Sequence, residues 1–258
     1  MNWDFAIDPI VYVLLASVRL LAMLQTAPVF REEGVPRRVR TALALIIAYT
    51  LAPVPGDTVD WKTWGGADLL LVVFVEITIG LLIGLAANLV FVGFSMMGDF
   101  ISTQGGLSAS RVVDPSSGVS STALARTFNG FGMLVFLAID GHHELIKVVA
   151  ITFNEIPMGL GVPDIGSYLA LVHSGSVMFE TAVRLAAPIT VAIFIQNVAT
   201  GVLSKSLQQL NLMVVQLPAH IGILLVILGF GAVDFINAIQ NMLEASLGRV
   251  MAVVLGAA

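Results

Sequence analysis

The chain has 258 residues, 57% of them hydrophobic and 11% charged, with a formal net charge of -5 and no cysteine. A soluble domain carries about 25% charged and about 45–50% apolar residues, so a soluble globule is excluded and an all-α, polytopic membrane protein is expected. The sparse, net-negative charge excludes a nucleic-acid partner. The missing cysteines exclude disulfides and thiolate metal sites.

Met1–Pro9 is acidic, and no small-residue cleavage site follows the Ile10–Ala22 run, so the first apolar segment is expected to stay in the mature protein. Ile10–Val29 is the first spanning candidate, with Arg19 as its one charge; a helix that crosses a bilayer needs about 20 apolar residues. The basic loop Arg31–Arg40 follows, and basic loops favour the cytoplasmic side. Thr41–Val54 is short for a span in contact with lipid, so it either relies on snorkelling arginines or packs among other proteins. Asp57, Asp60 and Asp68 then mark an external linker, with Trp61 and Trp64 as interfacial anchors.

Leu69–Met97 reads as a long helix with one charge, Glu76. Glu76, Gly80, Gly84 and Asn88 recur every fourth residue and so share a helix face. Small residues at that spacing let another helix approach closely. The favoured reading is a packing seam in which a neighbouring group bonds Glu76; a proton or ion relay is the alternative.

Gly98–Ser121 breaks the pattern, being rich in Gly, Ser and Thr with no helical hydrophobic repeat. It lies between Leu69–Met97 and a further apolar run, Ala123–Ile139. Irregular backbone near a membrane is tolerated where protein buries it or water reaches it. The segment is therefore an aqueous loop or the lining of a water-filled path. Asp140–Glu144 reads as a polar turn, with no third metal ligand or HExxH spacing, and helix His143–Ile156 follows. Beyond the Pro157–Pro163 loop, Ile165–Val183, Leu185–Ser204, Leu212–Val233 and Phe235–Val254 read as separate helices, with a polar bend over Gly201–Asn211. Counting about six hydrophobic segments puts both termini outside.

Catalytic readings fail on the residues. Gly118–Ser120 lacks a GxSxG frame, and the glycine-rich region lacks the lysine of a phosphate loop. No enzyme activity, cofactor or metal is expected.

Several short motifs in order resemble one family. They are Pro28-Val29-Phe30 with Pro36-Arg37-Arg38-Val39-Arg40, the Glu76/Gly80/Gly84 spacing, Gly106-Leu107-Ser108 followed by Asp114–Gly118, Asp140–His143, Pro157–Gly159, and Gln209–Asn211 with Pro218. Together they resemble the FliR family, membrane components of the flagellar type III protein export gate and homologous to a subunit of virulence injectisomes. The resemblance implies a part FliP-like in structure over 1–184, then a FliQ-like hairpin with a C-terminal helix over 185–258. It implies packing with FliP and FliQ in a helical hetero-oligomer around a pore for unfolded flagellar subunits, in the inner membrane and the basal body. FlhB contacts the cytoplasmic side, where Pro36, Arg37, Arg38, Arg40, Lys205, Gln209 and Asn211 are the expected contacts. The central loop is the pore plug in this family, here Gly105–Ser120, with Gly105, Gly106, Leu107, Ser108, Arg111, Asp114, Pro115 and Gly118 as its named residues. Asp99, Ala109 and Arg111 depart from common family residues. The rival class is a stand-alone secondary transporter or small-molecule channel, which predicts inverted repeats around a midplane site.

Overall fold

The computed structural model describes residues 4–31, 35–51, 64–105, 122–156, 158, 165–206 and 212–254. These form helices α1 (Asp4–Thr26), α2 (Pro28–Arg31), α3 (Arg37–Leu51), α4 (Gly66–Gln104), α5 (Ala123–Ala138), α6 (Gly141–Glu155), α7 (Ile165–Ser206) and α8 (Leu212–Val254), with no strand among the described residues. Helices α4, α7 and α8 are long and apolar enough to cross a membrane.

The three long helices outrun their sequence expectation, and α1 begins at Asp4, ahead of the expected Ile10. Ile165–Ser206 is one helix of 42 residues, where the sequence predicts a break at Arg184. Arg184 is exposed and paired along the same helix with Glu180 at 2.9 Å, so its charge needs no break. Pro188 lies inside the helix without ending it. Leu212–Val254 is likewise one helix of 43 residues, with Asp234 pointing outward. At about 1.5 Å per residue each is roughly 60 Å long, about twice the apolar thickness of a bilayer. The third, α4, continues through Gly98–Gln104, which the sequence predicts as loop.

The chain divides into two compact units that interleave along the sequence. The first comprises residues 1–89, 137–175 and 243–258; the second comprises 90–136 and 176–242.

In the first unit α1 packs against α2 and α3. The buried positions of α3 are Arg40, Ala44 and Ala48, one residue per turn, and the small alanines admit the neighbouring helix. Leu15, Ala16, Leu20, Met23 and Leu24 form the buried face of α1. Against it lies α4, whose Val72, Val75, Ile79, Leu82 and Ile83 are buried. A β-carbon on Gly80 would overlap the carbonyl oxygen of Arg19 and sit 2.8 Å from Ala22 Cβ; one on Gly84 would overlap Thr26 Oγ1 and lie 2.7 Å from Met23 O. Gly80→Ala is therefore expected to cost about 1–3 kcal/mol, as overpacking does when backbone must move, read as a lower thermal midpoint of the purified protein. An unchanged midpoint contradicts the close approach of α1 and α4.

In the second unit the residues of α4 from Val90 onward pack with α5, α7 and α8. Phe91 meets Phe136 edge-on at 5.4 Å between ring centroids, and Phe128 stacks on Phe235 at 6.3 Å. Gly93 lies under Met178 and Met242. A small apolar gap there is lined by Phe94, Met97, Ala182 and Leu185.

Candidate functional site

The central insert is bounded by two helix ends, and both belong to the second unit. Its far end begins at Thr122, the residue before α5. The Thr122 hydroxyl donates to Asp99 Oδ1 at 2.9 Å and accepts from Ser102 Oγ at 3.0 Å and from the Ala125 amide at 3.1 Å. One hydrogen and two lone pairs are thus all used. The Ala125 contact caps the first turn of α5, as Ser, Thr, Asp and Asn do at helix starts. The Thr122 amide also reaches Asp99 Oδ1 at 3.4 Å.

These bonds explain why α4 outruns its apolar stretch. Met97 and Ile101 are buried, so the last two turns still bury an apolar face. Asp99 and Ser102 bond to Thr122 at the start of α5, and Thr103 bonds back to Asp99 O, instead of disrupting the helix. A β-carbon on Gly98 would lie 2.5 Å from Ala125 Cα, so α4 and α5 touch there backbone to backbone.

The near end of the insert is Gln104–Gly105. Gly105 is buried, and its amide donates to Ile101 O at 2.9 Å. The Gln104 carbonyl accepts from Asn197 Nδ2 of α7 at 3.3 Å. Asn197 Oδ1 in turn faces Gln216 Nε2 at 2.6 Å and His220 Nε2 at 3.1 Å, both on α8. Of the named plug residues, Gly106, Leu107, Ser108, Arg111, Asp114, Pro115 and Gly118 lie outside the described residues, and so do Gln209 and Asn211.

In the first unit the residues at four-residue spacing flank a buried ion pair. Arg19 Nε donates to Glu76 Oε2 at 2.6 Å and Nη2 to Oε1 at 3.1 Å, a bidentate fork with both side chains wholly buried. Arg19 Nη1 donates to Thr152 Oγ1 at 3.0 Å, and the guanidinium lies 4.4 Å from the centre of the Phe153 ring. Glu76 thus faces an arginine fork, while Asn88 stands half-buried further along α4. Arg19 was visible in the sequence as the one charge of the Ile10–Val29 apolar run. Its partner was not, because 57 residues separate the two.

The basic stretch expected as a loop through Arg40 is helical from Arg37, where α3 begins, and its arginines divide by exposure. Arg37 and Arg38 are exposed, whereas Arg40 is buried and its Nη2 donates to Val35 O at 3.0 Å. The Pro36 carbonyl accepts from the amides of Val39 and Arg40, which starts α3. Lys205 lies in the last turn of α7.

Where the sequence shows no third metal ligand, the fold places three donor atoms, from Asp140, His142 and His143, within 4.8 Å of one another. Asp140 adopts a left-handed backbone (φ 56) at the start of α6 and already contacts His143 Nδ1 at 3.3 Å. That turn brings the three together, and two of them are open to solvent.

Residues 10–246 match the bacterial export proteins, family 1. The chain belongs to this family. It is 33% identical over 202 residues to the flagellar biosynthetic protein FliR of Escherichia coli (strain K12), covering 78% of this chain and 76% of that one. It is 28% identical over 223 residues to FliR of Bacillus subtilis (strain 168), covering 83% of each. Over 142 residues it is 32% identical to the surface presentation of antigens protein SpaR of Shigella sonnei, covering 54% of this chain and 53% of that protein. These likenesses place the chain among the FliR proteins of bacterial export protein family 1.

Proposed function

We propose that the chain is a subunit of the flagellar type III protein export gate. With FliP and FliQ it forms the channel through which unfolded flagellar subunits cross the inner membrane at the basal body, and flagellum assembly requires it. FlhB docks on the side carrying exposed Arg37 and Arg38. The residues after about 185 act as a FliQ-like hairpin and those before as a FliP-like part. The chain catalyses nothing itself, and energy comes from other export components. The insert Gly105–Ser120 plugs the conduit, since small polar residues can line a wet constriction without sealing it permanently.

The observation that carries this reading, beside the family, is the unpartnered apolar surface. Only 17% of the apolar windows of α7 and of α8 is buried within the chain, against 50% for α4. Val191, Phe194, Ile195, Val198 and Val202 on α7 face outward, and Phe230 on α8 is 89% exposed. Helices about twice as long as the bilayer core is thick cannot be covered by lipid alone, and other apolar helices supply the remaining cover.

The test is affinity purification of the tagged chain from bacterial membranes, followed by native mass measurement. The reading expects two smaller membrane proteins in a fixed, unequal ratio to this chain. A stable, active monomer supports the transporter alternative and overturns the reading.

A further inference from the structure

We infer that Asn197 is a positioning residue that caps the C-terminal end of α4 and so fixes where the central insert leaves that helix. The inference rests on the reading of that insert as the plug.

The last four carbonyls of a helix lack partners within the helix. In α4 the Gly105 amide satisfies Ile101 O, and Asn197 Nδ2 satisfies Gln104 O, the carbonyl of the last residue of the helix. The cap is supplied by another helix, so it ties the insert to the α7–α8 hairpin instead of merely ending α4.

The orientation of the Asn197 amide follows from chemistry. The Gln104 carbonyl can only accept, so the amide nitrogen faces it. The amide oxygen then faces α8, where it accepts from Gln216 Nε2 and from His220, whose Nε2 carries the hydrogen. Gln216 and His220 are one helical turn apart and share a face of α8, and His220 is buried. Gln196, the neighbour of Asn197, reaches back to Gln216 O at 3.5 Å. Four polar side chains therefore meet between α7 and α8, and two of them, Gln216 and His220, hold the Asn197 amide that caps α4. Gln196 Oε1 is buried without a partner among the described residues, whereas both ends of the Asn197 amide are engaged, which favours one orientation of Asn197 because the flipped amide leaves further groups unpaired.

The two ends of the insert are held independently. Thr122 is tied to α4 itself through Asp99 and Ser102, whereas Gln104 is tied to the hairpin. A change at Asn197 therefore alters one end and leaves the other in place.

The test uses the complete assembly carrying Asn197→Ala or Asn197→Asp. The aspartate keeps both contacts to α8 but sets an oxygen against the Gln104 carbonyl. Two readouts are taken: amide hydrogen exchange over residues 101–105, and resting ion conductance of the assembly in planar bilayers. Both variants are expected to assemble, to exchange roughly two- to tenfold faster in that turn, as the loss of one hydrogen bond allows, and to raise resting conductance. Unchanged exchange overturns the cap. Faster exchange with native conductance overturns the positioning role while the plug stands, provided that deletion of the insert leaks. If that deletion does not leak, the plug reading fails, and the exchange result alone decides whether Asn197 caps α4. Failure of both variants to assemble marks Asn197 as a packing residue and also overturns the inference.

Discussion

Arg19→Met and Glu76→Leu, made singly, are each expected to destabilise the protein severely, and made together to restore most of the loss. The pair is wholly buried, so removing one member leaves the other uncompensated in an apolar environment. Breaking a buried pair this way costs about 3–5 kcal/mol, a large fraction of the roughly 5–15 kcal/mol that holds a typical protein folded. Glu76→Leu strands a guanidinium that, among the described residues, keeps only its bond to Thr152 and its contact with Phe153. Arg19→Met strands a carboxylate and also removes the donor facing Thr152. The double variant replaces the fork with apolar groups of similar bulk, an exchange that is often neutral or stabilising. Accumulation in the membrane fraction and the thermal midpoint of the purified protein check this. If the double variant is as damaged as the worse single, the ion pair does more than fill a buried site. If both singles behave as native, the pair is not buried in the working protein.

This pair also marks what the sequence could and could not disclose. The spacing of Glu76, Gly80 and Gly84 is a local signal, because residues four apart share a face and glycine leaves room for a neighbour. Which helix fills that room is a long-range fact, and the only sign of it was one arginine in an apolar helix. The extension of α4 through Gly98–Gln104 stayed hidden for a similar reason. Asp99, Ser102 and Thr103 look like loop formers, yet Asp99 and Ser102 bond to Thr122 across the insert, and Thr103 bonds back to Asp99 O within the helix. Asn197, Gln216 and His220 showed in the sequence only as polar residues in apolar runs. Their convergence depends on how α7 and α8 face each other. Composition disclosed the membrane class, because apolar content is a sum over the chain and needs no partner, and the lengths of the apolar runs disclosed the helices.

The second large effect concerns the insert. The two ends of the insert lie close together: Ser102 Oγ and Thr122 Oγ1 are 3.0 Å apart. Replacing residues 106–120 with a short Gly-Ser linker, at up to about 3.5 Å per residue, can therefore bridge the neck without pulling α4 from α5. The caps on Thr122 and Gln104 stay in place, so the helices and the contacts made by their outer faces are retained. The variant is expected to assemble with its partners in the native ratio. Only the Gly- and Ser-rich residues between the caps are lost.

Single-channel recording of purified assemblies with and without that insert tests whether it plugs a conduit. The native assembly is expected to be closed at rest and the shortened one to pass small ions continuously. Equal, negligible currents from both, with assembly intact, would show that this segment obstructs no conduit.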